Sequence, residues 1–454
     1  MAHPAGSAEA AKLRRVLSLW DLIVYGIVLV MPIAAVPLFG VVESLSGGFA
    51  VTALLASMVA MALTAVSYGR MAALYPSAGS AYAYVSRGLN AHLGFLAGWA
   101  MLLDYLLVPL ICTIYGALTL ARLVPQFPYA FWCALFAAAI SVVNLRGIRA
   151  TALANLVAMI VMLAVILVFI ALAVGWLWHR GGWDGLASFH PFYRPGAFHW
   201  RAVAAATSVA ALTYGGFDGV TTLAEEVRNP RRNVLIAAVS VCLFTGLFGG
   251  LQIYLAQRVW PGYRLFANLE TAFMDVARVV GGAPLFLAMG AILLVANFGS
   301  GMGAQAGIAR LLYGMGRDGA LPPRFFARLD RRRAVPALNI GLVGVIAFLG
   351  ALLLSYERAA ELINFGAFLA FMGVNAALIR QGFWRQAPSQ RHWLRDLLLP
   401  ACGLLFCLAI WLGLSSQAKL LGAAWFAVGV VWDGVRTGGF RTQPQSVEFD
   451  VEVG

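Results

Sequence analysis

Residues 30 to 37 read Val-Met-Pro-Ile-Ala-Ala-Val-Pro and interrupt an apolar run that extends from 18 to 42. Each proline lacks a backbone N–H, so the carbonyl four residues earlier, at Val28 or Ile33, loses its helical partner. An unwound backbone at membrane depth is tolerated only where it lines a cavity or is buried in protein. The stretch therefore predicts a broken membrane helix beside a cavity.

A second interruption lies in the apolar run from 202 to 226, where residues 214 to 219 read Tyr-Gly-Gly-Phe-Asp-Gly. Either cluster alone could be ordinary, because proline and glycine are common in membrane helices. Two clusters in corresponding spans favour a functional interpretation, since secondary transporters bind substrate at broken helices between inverted repeats. We therefore predict two five-helix repeats of opposite topology, at 18–178 and 202–380.

Apolar side chains dominate the chain, since 61% of its 454 residues are hydrophobic and 11% are charged. Runs long enough to cross about 30 Å of hydrocarbon recur from end to end. They predict an all-α integral membrane domain of twelve transmembrane helices at 18–435, between tails at 1–17 and 436–454. The last two helices, at 394–435, fall outside the repeats. The expected spans are 18–42, 49–68, 93–121, 128–144, 150–178, 202–226, 234–257, 284–313, 337–355, 359–379, 394–414 and 418–435.

Basic residues are distributed unevenly along this chain, whose formal net charge is +13. In a soluble protein such an excess would suggest binding to nucleic acid. With the N-terminus inside, the cytoplasmic segments hold twenty-two lysines and arginines and the outer segments hold nine. This satisfies the positive-inside rule with both termini in the cytoplasm. The charge therefore predicts topology and requires no nucleic-acid partner.

Asp104 and Asp218 place carboxylates inside apolar spans, where a charge is expensive and usually functional. The structural alternative is an acid that is hydrogen-bonded to a neighbouring helix. No lysine or arginine lies close to either in sequence, so a bound cation is the natural partner. The predicted substrate-binding residues are Met31, Pro32, Ala34, Asp104, Tyr105, Tyr214, Gly216, Phe217 and Asp218.

Several chemistries are excluded by where polar residues fall. All six histidines lie in tails, loops or span ends, so they cannot form a proton relay at the membrane midplane. The five cysteines lie almost entirely in apolar runs without metal-ligand spacing, and we expect them to pack as small apolar residues. There is no phosphate loop and no His/Cys/Asp cluster. We predict no enzyme activity, catalytic residue, metal or cofactor.

A family resemblance rests on several motifs, which are Tyr68-Gly69-Arg70, Pro76 to Tyr82, Gly98-Trp99, Leu103-Asp104-Tyr105, Gly216 to Glu226, Ala309 to Gly319 and Leu362 to Ala367. Together they resemble the amino acid-polyamine-organocation transporter superfamily over about residues 18 to 435, and most of all its bacterial putrescine importers. The resemblance implies an inner-membrane secondary transporter that imports an amine-bearing solute by alternating access. Its expected partners are the small-molecule substrate, a coupling proton and the lipid bilayer.

Coupling or gating roles are predicted for Asp104, Glu225, Glu226, Asn155 and Ser300. Glu225 and Glu226 end the sixth span, where we expect an interfacial gate or ion pair. Ser300 opens the small-residue stretch Ser-Gly-Met-Gly, which simple packing explains about as well as an ion site does. Asn155 is the polar residue of the fifth span, where proton-coupled relatives can carry a lysine.

The substrate is predicted to be a polyamine such as putrescine. Relatives that hold an α-amino acid carboxylate use a glycine-rich turn in the first span, whereas residues 31 to 35 contain no glycine. The acid that putrescine importers carry in the second half of that break is also missing, because residues 36 to 39 read Val-Pro-Leu-Phe. An amino acid permease therefore stays an alternative, and a passive channel is the alternative of another class. The oligomeric state is not predicted.

Overall fold

The computed structural model describes residues 16–75, 80–146, 152–224, 226–262, 265–317, 321–330 and 335–443, and of residues 152–156 it describes the backbone alone. Helices are the main secondary structure in these ranges, joined by turns and loops, with one isolated β-bridge between Leu17 and Val227. Its α-helices are α1 (Leu19–Val30), α2 (Phe39–Ser46), α3 (Ala50–Leu74), α4 (Ser80–Gly88), α5 (Ala91–Leu123), α6 (Tyr129–Arg146), α7 (Ala152–Leu186), α8 (Trp200–Ala210), α9 (Pro230–Val259), α10 (Ala272–Arg317), α11 (Pro323–Phe326), α12 (Ala337–Leu353), α13 (Tyr356–Ile379), α14 (Leu399–Gly413) and α15 (Ser416–Arg436).

Nine helices in the described part of the chain are long and apolar enough to cross a membrane. The helices α1 and α12 are apolar but shorter. Two of the long helices extend past their predicted spans. In each, a further helical segment is joined across a kink at a glycine with positive φ, Gly182 in α7 and Gly282 in α10. The fold is therefore an all-helical, multi-pass membrane architecture, and the total of twelve spans stays a prediction.

The first break lies where the two prolines predict it, between the end of α1 at Val30 and the start of α2 at Phe39. Met31 turns the chain with φ of 68°. One expectation is corrected: the carbonyl of Ile33 is not left open, because it accepts a hydrogen bond from the N–H of Val36 at 3.0 Å. The unwound segment makes its own local turns where proline removes the helical bond.

The second break follows α8 and is built from two short 3₁₀ segments, Ala211–Tyr214 and Phe217–Leu223. Gly216 lies between them with φ of 103°, a conformation that favours glycine. A Cβ at this position would lie 3.5 Å from the backbone carbonyl of Leu29 in α1. The end of α1 therefore touches the second break, and the two interruptions lie side by side.

The two halves of the first broken helix have different surroundings. Every residue of α2 is buried or half-buried. The ring of Phe39 packs edge-on against Phe266 and Phe273, with centroids 5.6 and 5.7 Å away. In contrast, α1 leaves Tyr25 and Leu29 each 37% exposed. The break is thus sealed on the α2 side and less covered on the α1 side.

Gly40 allows this seal, because a Cβ there would collide with the carbonyl oxygen of Leu269 and lie 2.6 Å from the Cβ of Ala272. Gly40→Ala should therefore lower the melting temperature in detergent, since overpacking costs about 1–3 kcal/mol. Gly341→Ala in α12 is the matched control, because a Cβ there meets nothing within 4 Å. Both changes gain the same helix propensity. Equal shifts in the two variants would contradict the tight contact at Gly40.

Candidate functional site

A cavity of about 570 Å³ lies where the two breaks meet, and α5, α7, α10 and α13 complete its wall. Eight of the nine residues predicted to bind substrate line it, namely Met31, Pro32, Ala34, Asp104, Tyr105, Tyr214, Gly216 and Asp218. Phe217 does not. Its ring is fully buried and packs against Tyr68 and Phe371 at centroid distances of 5.6 and 5.3 Å. Phe217 therefore supports the second break from behind.

Two carboxylates set the charge of this cavity. Asp104 projects from α5 and Asp218 from the 3₁₀ segment Phe217–Leu223, and the two interact electrostatically. Among the described residues, no lysine, arginine or histidine lines the cavity. A pair of acids in a low-dielectric space without a basic side chain leaves negative charge to be neutralised by protons or by a bound cation.

The two acids differ in their protein partners. The backbone N–H groups of residues 218 and 219 lie beside the carboxylate of Asp218 and favour its charged form, and the N–H of Gly219 donates to the carbonyl of Gly216 at 3.0 Å. In the described part of the chain, no donor or basic group bonds to Asp104. The structural alternative, an acid hydrogen-bonded to a neighbouring helix, thus finds no partner for Asp104 there. Asp104 is the more available of the two for a mobile proton or cation.

Backbone carbonyls add to the negative character of the wall. Val28, Leu29 and Val30, the last residues of α1, line the cavity at a helix C-terminus, where the helix dipole favours positive charge. Pro32 and Pro37 also line it and offer no N–H. The first break therefore presents acceptors to a ligand and lacks two donors that a carboxylate could use.

Three amide side chains at the breaks and the cavity wall were not predicted from the sequence. Gln252 of α9 is fully buried and donates to the carbonyl of Pro32 at 2.9 Å, which holds the unwound segment. Asn297 of α10 and Asn364 of α13 line the cavity, and Asn364 donates to the carbonyl of Ser208 in α8. The available signal was a pair of amides within each of three largely apolar spans, which ordinary helix packing produces as well.

Ser300 lines the cavity next to the thiol of Cys112. The cysteine is buried, as expected, but it also faces this space. A Cβ at Gly301 would lie 3.1 Å from the Cβ of Cys112, so the small residues let α10 approach α5 closely. Behind them, the Nδ2 of Asn144 bonds to Gln305 at 2.8 Å and to the carbonyl of Met302 at 3.0 Å. Packing therefore accounts for Gly301, whereas a Cβ at Gly303 would meet nothing within 4 Å.

The remaining predicted gating residues lie away from the cavity or outside the described residues. The carbonyl of Glu226 accepts from the N–H of Leu17 at 3.0 Å, and the carbonyl of Leu17 accepts from Arg228 at 2.9 Å. These bonds tie the segment before α1 to the chain that follows the second break. Glu225 and the side chain of Asn155 lie outside what the structure describes. Gating by these three residues stays a prediction.

Comparison with known proteins identifies the architecture. A family model described as "Amino acid permease" matches residues 21–435. The chain belongs to this family. It is 32% identical to the low-affinity putrescine importer PlaP of Escherichia coli over 96% of both chains. It is also 27% identical to a methylthioribose transporter of Bacillus subtilis over 94% of both chains, and 25% identical to the branched-chain amino acid permease BcaP of Lactococcus lactis over 83% of this chain and 84% of that one.

Membership confirms the resemblance to the amino acid-polyamine-organocation superfamily and to bacterial putrescine importers. The permease is therefore a multi-pass membrane transporter for amine-bearing solutes. Its family and relatives are transporters and not enzymes.

Asp218→Asn should lower the uptake of a cationic solute by about tenfold or more, because a hydrogen bond to a charged group contributes roughly 1.5–3 kcal/mol. The change removes the charge and keeps the shape. Uptake by cells that express matched amounts of folded permease gives the measurement. Asp184→Asn, at an exposed residue of α7, is the control and should be neutral. Normal kinetics in Asp218→Asn would show that this acid only caps the 3₁₀ segment.

Proposed function

We propose that this permease imports a polyamine such as putrescine as a proton symporter that works by alternating access. The observation that supports it best is a cavity with two carboxylates and, among the described residues, no basic side chain. A diamine supplies ammonium groups for the acids and the open carbonyls. Its methylene chain suits apolar wall residues such as Met101, Ile111 and Met162. The relative PlaP is a low-affinity putrescine importer, which agrees with this substrate class.

An amino acid is the second candidate, because the relatives also include permeases named for branched-chain and cationic amino acids. Such a substrate would bring a carboxylate into a space that already holds Asp104 and Asp218. Pro32 and Pro37 have no backbone N–H, so the first break can donate few hydrogen bonds to stabilise that carboxylate. The proposal therefore favours an amine without a carboxylate.

For the fold we propose twelve membrane helices in the domain at 18–435, with inverted five-helix repeats at 18–178 and 202–380. The two breaks then occupy matching places in the repeats. Both tails, 1–17 and 436–454, are assigned to the cytoplasm by the positive-inside rule, in a bacterial inner membrane. With that orientation, the sealed α2 side faces outward and the exposed α1 side faces the cytoplasm.

Protons are proposed as the driving ion, with Asp104 as the carrier. A sodium site of this architecture would need carbonyls of the first break together with hydroxyls on α10. There the cavity wall offers Ser300 between glycines, and no threonine is adjacent. Asp104 has no protein partner in the described residues and could bind and release one proton per cycle, while Asp218 holds the substrate.

Sodium-free proteoliposomes test the coupling. Putrescine uptake should rise with an inward proton gradient and collapse with a protonophore. Asp104→Asn should lose gradient-driven accumulation and keep exchange of labelled for unlabelled putrescine. Exchange needs only substrate binding and the alternating-access change of conformation, and neither step needs the carried proton. Counterflow in the same vesicles separates a carrier from a passive channel. Uptake that requires sodium and ignores the protonophore would overturn the proton proposal.

A further inference from the structure

One polar residue interrupts an apolar cavity wall on α13. Between residues 363 and 371 the lining side chains are Ile363, Asn364, Ala367, Phe368 and Phe371. All of them are apolar except Asn364. Its side chain is 4% exposed, so the amide is withdrawn from bulk water and faces the space that receives the substrate.

The orientation of this amide is fixed by its one protein bond. Asn364 donates from Nδ2 to the backbone carbonyl of Ser208, near the end of α8. A carbonyl accepts only an N–H or O–H, so Nδ2 must point toward Ser208 and Oδ1 away from it. No donor in the described part of the chain bonds to Oδ1. Because Asn364 lines the cavity, a ligand or water there can supply the donor that this oxygen lacks.

The position of Asn364 differs from that of the two acids. Asp104 and Asp218 line the cavity and interact electrostatically with each other. Asn364 stands on another wall, formed by α13 and its anchor on α8, with the apolar side chains of Ala367 and Phe368 beside it. A neutral acceptor at this wall avoids burying a third negative charge.

We propose that Asn364 is a specificity-determining residue whose Oδ1 accepts a hydrogen bond from the second ammonium group of a diamine. The first ammonium lies at the carboxylates, and the methylenes cross the apolar wall. This inference rests on the proposed function and extends it, because it explains how the site would distinguish a diamine from a monoamine of equal length. The bond to Ser208 also joins substrate recognition to the second broken helix.

Matched ligands provide the test. Butane-1,4-diamine and butan-1-amine differ by one amine, and each is measured as an inhibitor of labelled putrescine uptake. In the wild type the diamine should inhibit at a much lower concentration. The quantity compared is the inhibition constant of the monoamine divided by that of the diamine. Asn364→Ala should lower this ratio by about tenfold, which is the effect of losing one hydrogen bond to a charged group.

Asn375→Ala is the control on the same helix. Asn375 is fully buried in a separate network with Ser67, Thr64 and the carbonyl of Phe371, and it does not line the cavity. Its loss should affect stability and leave the ratio unchanged. Asn364→Asp is the second variant, should Asn364→Ala not fold. It places a carboxylate beside the second ammonium, so the same ratio should increase.

A ratio that is the same in the wild type and in the folded Asn364 variants would overturn the inference, because residue 364 would then only anchor α8. That outcome leaves the proposed function intact if the wild type still recognises the diamine. A wild type that recognises neither amine would overturn the proposed function and this inference together. The two failures are therefore distinguishable in one set of inhibition curves.

Discussion

A backbone carbonyl or carboxylate buried in a membrane must find a partner, and this requirement governs the centre of the permease. Two broken helices expose polar backbone where lipid could not solvate it. Some of those groups are satisfied within the protein, by the local turn at Ile33, by Gln252 on Pro32 and by Asn364 on Ser208. The remaining acceptors, together with Asp104 and Asp218, face a single cavity. A cationic ligand is the partner that this set of acceptors lacks.

The helices around the breaks hold them in place with amides and small residues. Gln252 of α9 bonds to a carbonyl of the first break, and Asn364 of α13 bonds to a carbonyl near the end of α8, so each broken helix is fixed from a neighbouring helix. Glycines set the geometry, because residue 40 must admit the carbonyl of Leu269 and residue 216 adopts a φ of 103°.

The features that sequence could predict are those with local causes. Hydropathy locates the spans, and the prolines and glycines locate the breaks, since a missing N–H or a positive φ acts within a few residues. The cost of a buried charge identifies Asp104 and Asp218 without any knowledge of packing. These signals also account for the resemblance to the family.

Features that depend on packing between helices were not predictable. Phe217 lies next to Asp218 in sequence, yet the tight 3₁₀ segment turns its ring toward Tyr68 and Phe371 instead of the cavity. Asn364 and Gln252 each share a largely apolar span with another amide, and only the fold shows that these two bond to a broken helix. The helices α7 and α10 exceed their predicted spans because a further helical segment is joined to each across a kink, at Gly182 and at Gly282.

The central claim is that this cavity accepts amines and rejects carboxylates. Putrescine and ornithine test it most directly, because ornithine is the same diamine with one carboxylate added. The measurement compares the inhibition constants of the two compounds against labelled putrescine uptake in proteoliposomes. The account predicts that putrescine inhibits at a concentration about a hundredfold lower, since a carboxylate buried beside two acids lacks a compensating partner. Ornithine that inhibits as well as putrescine, or better, would contradict it.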